Sequence, residues 1–230
     1  MARKSSATSV RAEQAMWQVI GALALTTVVS LLLLLLRILV THSLRYAYLP
    51  WNLFLGVLPL VFAVWLRENL RVHPWNHWQN IGLSLLWLGF LPNSFYIISD
   101  LIHLTNTGPT AMLYDAAMLV SYILNGLVFG YASLSIVHWE LLKRTSAKIA
   151  HSLVVIALLA SSFAIYLGRY QRWNSWDVVL HPAGLLFDIS SRVINPVLHG
   201  DTFIVTGVFF ILLGSVYLVI YKVAVLIRRV

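Results

Sequence analysis

The chain contains no cysteine, and charged residues make up only 10% of its 230 residues. The absence of cysteine excludes disulfides, thiol nucleophiles, thiolate zinc sites and cysteine-ligated iron–sulfur clusters. A glycine-rich loop of the Walker or dinucleotide-binding kind is also missing, because the 12 glycines are scattered along the sequence,. An ATP-driven or nicotinamide-dependent mechanism within this chain is therefore not expected.

What the chain has instead is apolar sequence, with 60% hydrophobic residues and a mean hydropathy of +0.81. Soluble domains carry about 25% charged residues. Crossing a bilayer takes roughly 20 mostly apolar residues per helix. The sequence therefore predicts an all-α, polytopic transmembrane helical bundle with about six spans, at residues 17–40, 47–66, 81–98, 111–137, 149–168 and 202–227.

The first span follows a basic head, and no small-residue cleavage site follows it, so we expect an uncleaved anchor. Residues 1–16 are then a basic cytoplasmic N-terminal tail. Residues 17–230 are expected to form a single transmembrane helical domain, with an outer interfacial loop at residues 169–201 in which short helices lie. This loop has two interpretations, a lid over a site or a passive cover over the helix ends.

The positions of lysine and arginine predict the orientation. With the N-terminus inside, 11 of the 16 basic residues fall on the cytoplasmic side. The positive-inside rule then favours cytoplasmic N- and C-termini in a multi-pass protein of the cell inner (plasma) membrane. The formal charge of +8 is attributed to the membrane surface, and no nucleic-acid partner is expected,.

A stripe of polar residues ends the third span. Asn93, Tyr96, Asp100 and His103 are spaced three, four and three apart, which places them on one face of a helix,. Polar groups at membrane depth cost several kcal/mol unless they are paired or face water. The stripe is therefore the first candidate for a functional site.

Other polar residues fall on the same predicted side of the membrane. Asn52 lies where the second span enters from outside, and Asp115 lies near the start of the fourth span. The fifth span ends outside in a dense polar string at residues 168–177. The sequence thus predicts one outer site, with ordinary basic loops on the inner side.

Three segments carry a family resemblance, at residues 51–55, 91–104 and 166–177, the last of which contains Arg-Trp-Asn-Ser-Trp-Asp. Together they resemble the signature of an uncharacterised bacterial membrane-protein family, domain of unknown function 1361. The resemblance covers most of the chain. It implies a multi-spanning topology and no established activity.

Asp100 and His103 are the candidate catalytic residues. One interpretation makes them an acid–base pair, or two metal ligands that Asp115 and Asp177 complete. The alternative is a structural ion pair that ties the third span to an arginine at the end of the fifth. The residues identify no particular metal or cofactor, so both remain unknown.

The candidate substrate-binding residues surround this pair. Arginine forks at the end of the fifth span suit a carboxylate or phosphate, although anchoring at the interface is the simpler role. Trp173 fits the aromatic belt at the membrane surface. The expected binding set is Asn52, Asn93, Tyr96, Asp115, Arg169, Arg172, Asn174 and Asp177.

Three functional classes follow. The first binds or processes an anionic lipid, lipid-linked or envelope-derived molecule on the outer side. The second is a small transporter, and the third is a non-catalytic subunit that stabilises a larger membrane complex. Because polar residues concentrate on one side, the pattern counts against simple transport. The expected partners are the lipid bilayer, an anionic lipid or lipid-linked ligand, and a membrane-protein partner.

Overall fold

The computed structural model describes residues 2–104, 108–173 and 177–229, in which the regular elements are helices and no β-strand occurs. Six of the helices are long and apolar enough to cross a membrane, which confirms the predicted bundle. In chain order the elements are α1 (Ala2–Thr41), α2 (Leu49–Asn69), α3 (Trp78–Tyr96), a 3-10 helix (Ile97–His103), α4 (Pro109–Arg144), α5 (Ala147–Tyr170), α6 (Asp177–Leu180), α7 (Pro182–Ile194) and α8 (Gly200–Arg229).

The limits of the spans differ modestly from the predicted ones. The third span extends through the 3-10 helix to His103, and the fourth reaches Arg144 rather than residue 137. Helix α1 begins at Ala2, so the stretch expected as a tail is helical and continuous with the first span. The orientation of the termini and the division into tail and domain stay predictions.

Helix α4 lies at the centre of the bundle. It contacts α1, α2, α3 and α5, while α8 packs on α5. The apolar window of α4 is 56% buried, whereas those of α1 and α8 are each 17% buried. The outer helices α1 and α8 therefore present most of their apolar surface to the bilayer, which is where a membrane protein stabilises such surface.

Two glycines let α4 approach the end of α3. A Cβ atom built on Gly126 would lie 2.6 Å from the Ser94 carbonyl oxygen, and one on Gly130 would lie 2.6 Å from the Phe95 ring. Small residues at helix contacts permit such close backbone packing in membranes. This contact fixes the segment from which the polar stripe begins.

A polar contact joins α1 to α4 within the span. The Thr26 hydroxyl donates to Asn125 Oδ1 at 2.7 Å, and Asn125 Nδ2 donates to the Ser30 hydroxyl at 2.9 Å. Hydrogen bonds of this kind hold transmembrane helices together by roughly 0.6–2 kcal/mol each. The peripheral helix α1 is therefore attached to the bundle by specific contacts as well as by apolar packing.

Candidate functional site

The polar stripe is divided between two kinds of helix. Helix α3 ends at Tyr96, and the following seven residues form the 3-10 helix. The expectation of a single α-helical face is therefore wrong in helix type. Because residues three apart share a face of a 3-10 helix, Asp100 and His103 still point to the same side. The residues of the stripe therefore remain on one side although the helix type changes after Tyr96.

All four residues of the stripe line one cavity between α2, α3, the 3-10 helix and α5, with a volume of about 420 Å³. We call it the polar cavity. It brings together Asn52, the stripe and Arg169, which are six of the predicted site residues. The lining consists of Tyr48, Trp51, Asn52, Leu55, Gly89, Pro92, Asn93, Tyr96, Asp100, His103, Ala164, Leu167, Gly168, Arg169, Trp173 and Leu185.

Arg169, in the last turn of α5, is the most connected side chain of the polar cavity. Its Nη2 donates to Asp100 Oδ1 at 2.6 Å, and its Nη1 donates to His103 Nε2 at 2.9 Å. Its Nε donates to the Ser99 hydroxyl at 2.9 Å. The guanidinium also lies over the Tyr96 ring, 4.5 Å from the centroid. Arg169 thereby ties α5 to the 3-10 helix.

Asp100 balances this charge inside the protein. Its side chain is 1% exposed, while that of Arg169 is 11% exposed. The second carboxylate oxygen, Oδ2, accepts a hydrogen bond from Asn52 Nδ2 at 3.2 Å. Both oxygens of Asp100 are thus engaged, and a buried ion pair with satisfied oxygens is the arrangement that offsets desolvation. The ion pair between the third span and the end of the fifth, one of the alternatives predicted from the sequence, is therefore present.

His103 is held in one tautomer by its neighbour. A guanidinium only donates hydrogen bonds, so the contact from Arg169 makes His103 Nε2 an acceptor,. The proton of the neutral ring then resides on Nδ1, where it is a donor. The backbone carbonyl of His103 accepts from Arg45 at 3.0 Å and from the Tyr46 hydroxyl at 3.2 Å. Arg45 places a second cation beside the cavity.

Tyr48 adds a polar group that the sequence analysis missed. Its ring meets the His103 ring edge-on with centroids 5.5 Å apart. Its buried hydroxyl has no hydrogen-bond partner among the described residues. Burial raises the pKa of this phenol, so the hydroxyl keeps its proton,. The four-residue spacing between Tyr48 and Asn52 was the available signal, because it places both on one face at the start of α2.

Ser99 and Arg45 were missed as well. Ser99 accepts two hydrogen bonds from Arg169 and donates to the Tyr96 carbonyl at 2.6 Å. Its position between two residues of the stripe was the only sequence signal. Arg45 lies in a short connection that the analysis used only for counting charge. Neither Ser99 nor Arg45 belongs to a run of polar residues with helical spacing, so the pattern used to find the stripe could not identify them.

Asp115 does not lie in the polar cavity, and the expectation that it shares this pocket is wrong. Its carboxylate receives two hydrogen bonds from Arg37, Nε to Oδ1 at 2.9 Å and Nη2 to Oδ2 at 3.2 Å. Both side chains are buried. The two-point geometry binds α1 to α4. The sequence analysis counted Arg37 only as a basic residue and overlooked its need for a partner beside a leucine run.

The remaining predicted binding residues are also outside the lining of the polar cavity. Arg172 has an exposed side chain and a positive φ of 60°. Asp177 is buried at the start of α6. Neither belongs to the cavity wall, so the expectation that both share this pocket is wrong. Asn174 lies outside the residues that the structure describes.

The segment after α5 covers one side of the polar cavity. The Trp173 indole donates to Asp188 Oδ2 at 2.8 Å, which connects it to α7. Leu185 of α7 lines the cavity directly. The large apolar side chains Leu186 and Phe187 of the same helix are exposed. Helices α6 and α7 are short helices of the kind expected in this loop, and Trp173 takes part in the cover. The position of the loop at the membrane interface stays a prediction.

Metal binding by these residues finds no geometric support. Across residues 2–104, 108–173 and 177–229, no three His, Asp or Glu side chains come together to hold an ion. Arg169 lies between Asp100 and His103 and donates a hydrogen bond to each of them. Asp115 forms its ion pair with Arg37. The interpretation of a metal site completed by Asp115 and Asp177 is therefore wrong for the described residues.

Comparison with known proteins identifies a family but no characterised relative. A family model described as "Protein of unknown function (DUF1361)" matches residues 51–216, which is most of the chain. The match begins on α2 and ends within α8, so it includes Asn52, the polar stripe and Arg169. No curated protein and no solved structure matches the chain.

Proposed function

Since the chain belongs to the DUF1361 family, whose description names no activity, we propose a function from its site: the polar cavity of this membrane protein binds an anionic lipid or lipid-linked molecule. The protein is then a lipid-binding protein of the cell plasma membrane. The distribution of basic residues supports an outward-facing cavity,. The family resemblance predicted from the sequence is confirmed by the match.

The observation that carries this proposal is the two-sided character of the cavity. One end is polar, with amide, imidazole and guanidinium groups from Asn52, His103 and Arg169. The walls that extend along α2 and α5 are apolar, and they include Leu55 and Leu167. Ligand sites combine mostly apolar walls with a few fixed polar groups. A cavity with this arrangement suits an amphiphile whose head and tail have different chemistry.

The basic side chains at the polar end favour an anionic head group. Arg169 is paired with Asp100 at 2.6 Å. Arg45, whose Nη2 donates to the His103 carbonyl at 3.0 Å, is a further cation beside this pair. A head group with a net negative charge suits these cations better than a zwitterionic head group does.

The geometry supports binding rather than proton transfer by Asp100 and His103. Both oxygens of Asp100 accept hydrogen bonds, and His103 Nε2 accepts from a group that does not give up its proton,. The Nδ1–H of His103 remains as a donor for an oxyanion. We therefore assign both residues to the polar end of a binding site. The catalytic role predicted for them from the sequence is not part of this proposal and stays a prediction.

Lipid binding by the purified full-length chain tests the proposal. We expect native mass spectrometry in detergent to show phosphatidylglycerol retained about tenfold better than phosphatidylcholine, a difference of about 1.4 kcal/mol. Arg45→Gln should remove most of that preference, because the added positive charge is lost. Equal retention of the two lipids by the unaltered protein contradicts the proposed anionic head group.

A matched pair of variants tests whether the lipid occupies this cavity. Gly89 lines the cavity and a Cβ there meets nothing within 4 Å, so Gly89→Phe fills the space without a backbone clash. Gly82, two turns earlier on α3, is equally open and lies outside the cavity. Gly89→Phe should lose phosphatidylglycerol while Gly82→Phe retains it. Equal retention by the two variants contradicts the proposed location.

A further inference from the structure

A second cavity lies between α4, α5 and α8 and encloses about 340 Å³. His151, on its wall, precedes Arg169 by 18 residues on α5, which corresponds to ~27 Å along the helix,. The second cavity is therefore at the other end of the span from the polar cavity. Its lining is His138, His151, Val154, Val155, Leu158, Phe210, Ile211, Gly214, Ser215, Tyr217, Leu218 and Tyr221.

One polar atom in this wall is left unsatisfied. His138 is 2% exposed, and its Nδ1 shares a hydrogen bond of 2.8 Å with the Tyr217 hydroxyl. Its Nε2 is buried and has no hydrogen-bond partner among the described residues. An unpaired polar atom in an apolar wall costs free energy, and most such atoms in native proteins have a partner. Because Nε2 is buried by the protein itself, a ligand atom supplies the missing partner once a neighbouring ring moves aside.

The rings around His138 form an aromatic wall. Tyr221 stacks on His138 with centroids 4.9 Å apart and an interplanar angle of 28°. His151 meets His138 edge-on at 5.0 Å and Tyr221 edge-on at 5.4 Å. Aromatic rings in such stacked and edge-on arrangements favour a further planar ring beside them. The wall therefore suits a ligand with a flat head.

Charge and depth restrict the ligand further. Among the described residues, no Asp, Glu, Lys or Arg lines this cavity. His138 precedes Arg144, at the end of α4, by six residues, which is ~9 Å along the helix,. A charged head group is costly at that depth without a partner charge, whereas a neutral ring is not. The occupant is therefore neutral and soluble in the membrane.

We propose that the second cavity binds a lipid-soluble quinone. In the ring tautomer that this binding requires, His138 Nδ1 accepts from the Tyr217 hydroxyl and Nε2 carries the hydrogen, which it donates to a quinone carbonyl oxygen,. The ring lies against the aromatic wall, and the apolar tail follows α5 and α8 past Val155 and Ile211. The proposal concerns binding only. It is independent of the polar cavity, because the two sites share no lining residue.

The test is whether decylubiquinone binds to the full-length protein in detergent. Binding is measured as a rise in the thermal unfolding temperature of the protein. We expect a saturable rise for decylubiquinone and none for 1-decanol at the same concentrations, because 1-decanol has the tail without the ring. His138→Leu should raise the half-saturating concentration at least tenfold. An equal, unsaturable rise with both compounds overturns the proposal.

Two glycines of α8 provide a variant pair that does not alter His138. Gly214 lines the second cavity and Gly207, two turns earlier, does not, although a Cβ at either position meets nothing within 4 Å. Gly214→Phe should fill the cavity and weaken decylubiquinone binding at least tenfold. Gly207→Phe should bind within twofold of the unaltered protein. Equal binding by the two glycine variants overturns the proposal. This test remains valid if His138→Leu fails to fold.

Discussion

At the scale of single residues, the polar cavity depends on Arg169. Its guanidinium reaches Asp100, His103 and Ser99 while it lies over the Tyr96 ring. A cation that is nine-tenths buried persists there because its charge is balanced and its hydrogens are donated. The same contacts fix the polar groups that face the cavity, so the ion pair organises the site.

We expect the two charges of this pair to be energetically coupled. Asp100→Asn or Arg169→Gln alone leaves one buried charge without a partner and should lower the free energy of unfolding by about 3–5 kcal/mol. The double variant should lose less than the sum of the two single losses. Chemical unfolding in detergent measures each value.

An exposed ion pair serves as the control for this cycle. Arg71 Nη1 lies 2.7 Å from Glu68 Oε2, but the two side chains are 63% and 44% exposed. Exposed pairs of this kind contribute about 0–1 kcal/mol. A coupling energy for Asp100 and Arg169 no larger than that of the Arg71–Glu68 cycle contradicts the role given to the buried pair.

The residues of the site divide into those that the sequence could identify and those that it could not. Asn93 and His103 were identified because polar side chains at regular spacing in an apolar segment mark a shared face. Asp115 was misplaced because its partner, Arg37, lies on α1, 78 residues away. Spacing along one helix reveals a face, but it does not reveal which distant helix covers that face.

At the scale of elements, the change of helix type at the end of α3 determines on which side of the chain the stripe residues lie. Pro92 removes one backbone donor from the last turns of α3,. The chain then tightens into the 3-10 helix after Tyr96. The hydropathy pattern predicted the span but not this change, because hydropathy reports how apolar a segment is and not which type of helix it forms. Residues three apart stay on one face in either helix, so the prediction of a shared site was robust.

The contact between α4 and the end of α3 should be sensitive to a single methyl group. Gly126→Ala places a Cβ 2.6 Å from the Ser94 carbonyl oxygen, a backbone atom that cannot rotate away. We expect a loss of about 1–3 kcal/mol in the free energy of unfolding. The measurement is chemical unfolding of the purified variant in detergent.

Gly82→Ala is the matched control for this substitution. It lies within α3 and its added Cβ meets nothing within 4 Å. Alanine also has a higher helix propensity than glycine, by about 1 kcal/mol. Gly82→Ala should therefore leave stability unchanged or raise it slightly. If Gly126→Ala behaves in the same way as Gly82→Ala, then the close approach of α4 to α3 is not as described.

At the scale of the whole molecule, the bundle has a central α4 and two lipid-exposed helices, α1 and α8. Composition was sufficient to predict this class of fold, because six apolar segments in a chain of 230 residues leave little room for another arrangement,. Composition does not specify which helix lies at the centre. That position follows from the small residues and polar contacts of α4, which are recognised only once its neighbours are known.

The orientation of the bundle can be tested because the chain has no native cysteine. Gln171, after α5, and Thr145, before it, are both exposed and lie at opposite ends of that span. We expect a thiol reagent that does not cross membranes to label Gln171→Cys in intact cells. Thr145→Cys should be labelled only after the membrane is opened. The reverse pattern would place the polar cavity on the cytoplasmic side.

The most direct test of the proposed function is a high-resolution map of the full-length protein, extracted with its native membrane lipids. We expect elongated density in the polar cavity, with its polar end near Asn52, Asn93 and His103 and its tail along the apolar wall at Leu167. A map in which a partner chain packs against the Asn93-to-His103 stripe and fills this cavity contradicts lipid binding. It supports instead a subunit that stabilises a larger membrane complex.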